Sequence, residues 1–232
     1  MRVGDDLINS LFALGASPMR KLQNPDKKIF LQECGLLNVP CVVVGMVDSW
    51  PALSRWNWEN FSNMDEEALV TEDGDNFSSM SVKDFVKRVR VDGTAGKLYM
   101  KDATFHHNKT MSSEFSTPSL FENWLCDPVL TGQHPRLCSP HYPRWSWMYV
   151  GPRGSSSPLH VDIFHSSAFN VVTKGRKLWV FFPPEVEEQA LLKSKDCYWN
   201  AFDVQSPIPF HKAVVTLQEE VLNEREGRVT SI

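Results

Sequence analysis

The chain has 232 residues, 42% of them apolar and 22% charged, with a formal charge of −4. That length and composition suit one globular domain with a sizeable core. The mildly acidic balance, with no basic block, argues against direct nucleic-acid binding. No apolar run reaches membrane-spanning length, so no membrane partner is expected. Asp5 and Asp6 precede only a short apolar patch, Leu11 to Leu14, which makes a poor secretory signal. Five cysteines, Cys34, Cys41, Cys126, Cys138 and Cys197, are odd in number and scattered, with no C-x-x-C pair. They read as reduced thiols, which predicts a cytoplasmic or nuclear protein.

Residues 1–37 read as an N-terminal segment, loosely ordered or forming one short helix. Asp26 is placed to cap a helix through Phe30, Leu31 and Cys34, with Gly35 as its stop. After the turn at Asn38-Val39-Pro40, Cys41 to Val44 reads as a buried strand. Trp50 and Trp56, in W-P-A-L-S-R-W, read as core aromatics. Asp65 to Leu69 suits a short helix, and the polar run Thr71 to Ser79 suits a loop. Ser81 with Asp84 three residues on, followed by apolar residues at helical spacing, predicts a capped amphipathic helix with a solvated Lys/Arg face. Lys97 to Asp102 is the next strand. The adjacent His106 and His107 would point to opposite sides of a strand and read as surface loop. Residues 108–143, rich in Ser, Thr, Asn and Pro, predict one helix, Ser119 to Leu125, and a long loop bordering a substrate cleft. Arg144 to Val150 alternates as a strand.

Gly151 to Pro184 carries the chemistry-bearing residues. Ser155 to Pro158 is a turn, Ala168 to Val172 and Leu178 to Phe182 are strand-like, and Lys174 to Lys177 turns between them. Inside lies His160-Val161-Asp162. On a strand, His160 and Asp162 face one side and Val161 the other. An imidazole and a carboxylate on one face can fill two corners of a 2-His-1-carboxylate triad, the usual non-haem Fe(II) arrangement.

The segments GPRGSSSPLHVD and AFNVVTKGRKLWVFFPP, with VPCVVVGMVDSWPALSRW and KLYMKD upstream, run in order from Asn38 to Pro184. Together they resemble the jumonji-C (JmjC) Fe(II)- and 2-oxoglutarate-dependent oxygenases, and among them the small protein hydroxylases. The resemblance implies a mainly β fold with flanking helices (α+β), a double-stranded β-helix or cupin-like jelly roll over residues 38–219. It implies Fe(II) held by His160 and Asp162, with 2-oxoglutarate as cosubstrate and O2 as oxidant. It assigns Lys177 to the cosubstrate's distal carboxylate, a charge-assisted pairing. It gives Tyr99 a hydroxyl contact to the same carboxylate and has Asn170 line the site. Ser157 stands where the family often has threonine. Lys174 and Arg176 are expected in solvent. The implied reaction turns 2-oxoglutarate into succinate and CO2 while a protein side chain is hydroxylated, or demethylated if a hydroxymethyl product collapses. The implied partner is a protein substrate, a lysine residue, with a translation-termination factor as one candidate.

The family's third ligand is a histidine on a late strand, in a segment resembling G-E-x-x-F-V-P-x-x-W-x-H. Beyond Asp162 this chain has only His165, on the opposite strand parity, and His211, in a loop-like stretch. Val214 to Glu219 resembles the lead-in to the late strand, but the charged residues 220–232 do not continue the pattern. The expectation is a truncated form that leaves the family's pattern near Glu219. It would have a divergent tail, lack the last barrel strands and one iron ligand, leave a sheet edge open, and turn over little or not at all. Alternative readings are a non-catalytic JmjC-like fragment that binds a protein partner, a histone-type lysine demethylase, and a cupin-type small-molecule or sugar binder. The last has no need of Lys177, Asn170 and Tyr99 together.

Overall fold

The computed structural model describes residues 3–72, 76–91, 98–102, 105–121, 146–152, 154–155, 157, 160–162, 165–186, 213–219 and 229–231. In chain order the elements are α1 (Val3–Ala13), β1 (Ser17–Pro18), β2 (Arg20–Gln23), α2 (Lys27–Phe30), β3 (Cys41–Val44), α3 (Ala52–Arg55), α4 (Trp58–Phe61), β4 (Glu67–Glu72), β5 (Asn76–Ser81) and α5 (Val82–Val91). There follow β6 (Leu98–Asp102), α6 (Lys109–Ser113), β7 (Met148–Val150), β8 (Asn170–Val171), β9 (Arg176–Phe181), β10 (Val214–Glu219) and β11 (Val229–Ser231). They form two compact units, Trp50–Ser157 and the flanking Met1–Ser49 with Pro158–Ile232.

The flanking unit holds two sheets, ordered β1-β10-β9 and β2-β3-β11-β8. β9 and β10 pair antiparallel from Val214↔Phe181 to Glu219↔Arg176. Strand parity sends Leu178 and Val180 toward the cluster built on Leu11, Ala16, Ala213 and Val215, with Ile8 of α1 beside it. Phe181, on the opposite parity, packs on Met19, Val42 and Val44. All four residues of β3 are buried, as its β-branched run predicts. Asp26 caps α2 by accepting from Ile29 N at 2.8 Å, and the chain continues as a π-helical turn over Leu31–Gly35. Of the two readings of the N-terminal segment the structure has the short helix, α1, and adds the strands β1 and β2.

The tail also departs from expectation. β11 pairs antiparallel with β3 through Val229↔Val44 and with β8 through Thr230↔Val171. It supplies a late strand where the sequence reading expects a divergent tail and an unpaired sheet edge. Two of its three residues are β-branched, which suits a strand, and the pairing supplies backbone partners to both neighbours.

The Trp50–Ser157 unit is built on one sheet, β5-β4-β6-β7. One face packs Ala68, Val70, Leu98, Met100 and Met148 against Phe61, Val82, Phe85, Val86, Phe105 and Met111 from the helices. Ser81 forms the predicted capping box: its Oγ accepts from Asp84 N at 3.1 Å and donates to Asp84 Oδ2 at 2.8 Å. The helix expected over Asp65 to Leu69 and the loop expected over Thr71 to Ser79 are instead the β4–β5 hairpin. Ala68, Val70 and, on the other face, Thr71 are buried, whereas Leu69 is 45% exposed. Pairing with β6 over Glu72↔Leu98 to Val70↔Met100 decides the matter, and such long-range pairing overrides local helix propensity. His106 lies in a 3₁₀ turn, Phe105–His107, and is buried rather than at the surface. Of the predicted helix Ser119 to Leu125, only residues 119–121 are described, and they form a turn. His211 and Arg144-Trp145 lie outside the described residues.

Candidate active site

His160 and Asp162 lie outside any regular strand, yet their side chains converge: His160 Nε2 is 3.5 Å from Asp162 Oδ1. Both side chains are about half exposed, at 57% and 49%, so a ligand can reach them. Two donors bound to one ion at right angles, with bonds of about 2 Å, stand about 3 Å apart. The pair therefore fits as two cis ligands of a divalent first-row ion. His165 follows in a left-handed conformation (φ 50°), its backbone N–H donating to Asp162 O at 3.1 Å. Among the described residues no group of three His, Cys, Asp or Glu forms a metal centre.

Lys177 sits on β9, opposite Gln218. The turn ahead of it depends on Gly175, whose φ of +83° favours glycine. Lys177, Trp179 and Phe181 share one strand face, the one on which Phe181 meets the Met19, Val42 and Val44 cluster. Lys177 Nζ lies 4.0 Å from the Trp179 ring centroid, a cation–π contact, and the Trp179 and Phe181 rings stack at 5.6 Å. Burial pushes the Lys177 pKa down to about 8. A cation held against its own desolvation on a partly buried strand face is suited to an anionic ligand. Lys174 is exposed as expected, whereas Arg176 is half-buried with its Nε shielded from solvent. Asn170, half-buried on β8, pairs in register with Ser231 of β11.

Tyr99 and Ser157 belong to the Trp50–Ser157 unit and are hydrogen-bonded to each other. Burial raises the Tyr99 pKa, and the bond from Ser157 partly opposes that rise. The Tyr99 ring stacks on Tyr149, with centroids 5.8 Å apart and planes at 25°. Gly151 makes this packing possible: a Cβ there would stand 2.1 Å from Ser155 Oγ and 2.6 Å from Tyr99 Cδ2. Beside Tyr99 on the same strand face, Lys101 Nζ stands over the rings of Trp147 and Tyr149. The sequence signal for that cluster was the alternation of KLYMKD with WSWMY, which strand parity alone could have exposed.

The cupin-like domain family matches residues 27–223. The chain is 30% identical over 149 residues to Lysine-specific demethylase JMJ21 of Arabidopsis thaliana, covering 62% of this chain and 15% of that protein. It is 29% identical over 156 residues to Bifunctional arginine demethylase and lysyl-hydroxylase psr-1 of Caenorhabditis elegans, covering 63% and 36%. To 2-oxoglutarate and iron-dependent oxygenase JMJD4 of Danio rerio it is 31% identical over 133 residues, covering 56% and 29%. The matches thus span between 15% and 36% of the length of these curated relatives. With a mainly β architecture flanked by helices and a converging His160–Asp162 pair, the chain belongs to the cupin-like domain family, in its JmjC form.

Proposed function

We propose that this chain is an Fe(II)- and 2-oxoglutarate-dependent protein oxygenase, a dioxygenase that hydroxylates a side chain, with lysine as the residue type. The observation that carries the reading is the convergence of His160 Nε2 and Asp162 Oδ1 to 3.5 Å in the unit that also presents the desolvated Lys177 ammonium. His160 and Asp162 would hold the metal. Lys177 would bind the distal carboxylate of the cosubstrate as a charge-assisted pair. Tyr99, Ser157 and Asn170 are assigned to the same cosubstrate by their match to the family's pattern. The bound iron and 2-oxoacid supply the oxidising power for an unactivated C–H bond. The substrate proposed is a protein, with a component of the translation-termination machinery as the candidate, on the strength of the segments around His160 and Lys177. A cytoplasmic or nuclear setting goes with this reading; its support is the odd number of cysteines and the buried, free thiols of Cys34 and Cys41.

Calorimetric titration of 2-oxoglutarate into the Mn(II)-loaded chain tests the assignment. Lys177→Met leaves the carboxylate without its cation and should weaken binding by about 3–5 kcal/mol. Equal affinities in the two proteins would move the carboxylate site elsewhere. Formaldehyde release from a methylated peptide, in place of a hydroxylated product, would turn the reading toward demethylation.

A further inference from the structure

One face of the β5-β4-β6-β7 sheet packs on the core, and the other carries a cation that the metal and cosubstrate assignments leave unused. On β6, Leu98 and Met100 are buried in that core, while Tyr99 and Lys101 alternate onto the opposite face. β7 places Tyr149 directly across from Lys101, and Trp147 lies two residues before Tyr149. Lys101 Nζ is 5.8 Å from the Tyr149 centroid and 5.9 Å from that of Trp147, within cation–π range. Aromatic faces attract an ammonium without taking up any of its three N–H donors. Among the described residues Lys101 has no carboxylate partner and makes no hydrogen bond. Its head is thus fixed in direction and still able to donate.

Tyr99 adds a second donor. Its ring is set by the stack on Tyr149 and by the close approach of Gly151. Ser157 is hydrogen-bonded to Tyr99 in the same unit. A half-buried ammonium with a phenol two residues away on the same strand face is chemistry suited to a carboxylate, the charge-assisted partner of an ammonium.

We propose that Lys101 is a carboxylate-binding residue, acting beside the Tyr99 hydroxyl. The carboxylate belongs either to the dicarboxylate cosubstrate or to an acidic side chain of the protein substrate. The inference rests on the oxygenase reading only for which of these two ligands is bound.

The test is calorimetry on the Mn(II)-loaded chain with two probes, 2-oxoglutarate and the peptide acetyl-Glu-Glu-Lys-Glu-Glu-amide. Lys101→Met keeps an aliphatic stem over the rings, and Lys101→Arg keeps the charge. Lys101→Met is expected to weaken one probe at least about tenfold, the loss of one hydrogen bond to a charged group. Lys101→Arg is expected to retain most of that binding. Loss confined to 2-oxoglutarate assigns the cosubstrate, and loss confined to the peptide assigns the substrate. If Lys101→Met binds both probes as the unaltered chain does, or the unaltered chain binds neither, the proposal fails. If the unaltered chain binds the peptide but not 2-oxoglutarate, the oxygenase reading fails while the peptide titration still decides the role of Lys101.

Discussion

Lys177→Met should stabilise the free protein near neutral pH while removing cosubstrate binding. The folded chain holds the Lys177 pKa at about 8, against 10.5 for an ordinary lysine, and the cause is burial. At about 1.4 kcal/mol per pH unit, the charged form is disfavoured by about 3 kcal/mol. The contact with the Trp179 ring at 4.0 Å returns on the order of 1 kcal/mol of attraction, which the methionine stem forfeits. The contacts the ammonium makes thus offset part of that cost, and a net gain of less than about 3 kcal/mol is expected at pH 7. The sign of its pH dependence follows from the lowered folded pKa. Below about 8 both folded and unfolded chains carry the charge, and the penalty is present in full. Between 8 and 10.5 the unfolded chain binds more protons, so this residue's contribution to stability rises with pH. Above 10.5 the penalty is gone. Urea unfolding of both proteins, followed by far-ultraviolet circular dichroism at pH 7 and at pH 10, measures this. The advantage of Lys177→Met should shrink by about 2 kcal/mol or more between the two. A variant less stable than the parent at pH 7, or an advantage that does not change with pH, would refute the desolvated-ammonium argument.

Three substitutions test the packing of the Trp50–Ser157 unit. Gly151→Ala forces Ser155 and the Tyr99 ring apart, so it should cost about 1–3 kcal/mol in thermal or urea unfolding and lower 2-oxoglutarate affinity as well. Full stability with full affinity would show that the contact yields at no cost. The buried Glu114 carboxylate accepts from Trp56 Nε1 at 2.7 Å and Arg55 Nη1 at 3.1 Å. Glu114→Leu should destabilise by roughly 2 kcal/mol by stranding the indole N–H, whereas Arg55→Ala, whose side chain is 61% exposed, should cost under about 1 kcal/mol. The reverse order would mean that the ion pair, not the indole bond, holds α6 to α3.

The features legible in the sequence were those fixed within one segment. The Ser81–Asp84 capping box, the Asp26 cap, the β-branched Cys41–Val44 strand and the LYMKD strand each carry their own signal. The hairpin of β4 and β5 was not legible, because acids and serines in Glu67–Ser81 suit helix and loop locally. Only pairing with β6, far along the chain, selects strand. β11 was hidden for a similar reason, since its partners are β3 and β8 and nothing beside it in sequence announces a sheet. Of the candidate residues, His160 and Asp162 could be read from spacing, and Lys177 and Tyr99 from resemblance. Strand parity was the wrong cause for the His160–Asp162 convergence, which occurs in irregular backbone. The depressed Lys177 pKa and the Lys101 cluster depend on desolvation and cross-strand register, which spacing does not report.

The central proposal is that His160 and Asp162 would hold the iron that, with 2-oxoglutarate, would supply the oxidising chemistry. Anaerobic titration with Fe(II) and 2-oxoglutarate, followed by visible absorption, tests it directly. The account predicts a metal-to-cosubstrate charge-transfer band that saturates with one equivalent of each and vanishes in His160→Ala and in Asp162→Ala. A band that survives in either variant, or no band in the unaltered chain, would contradict it.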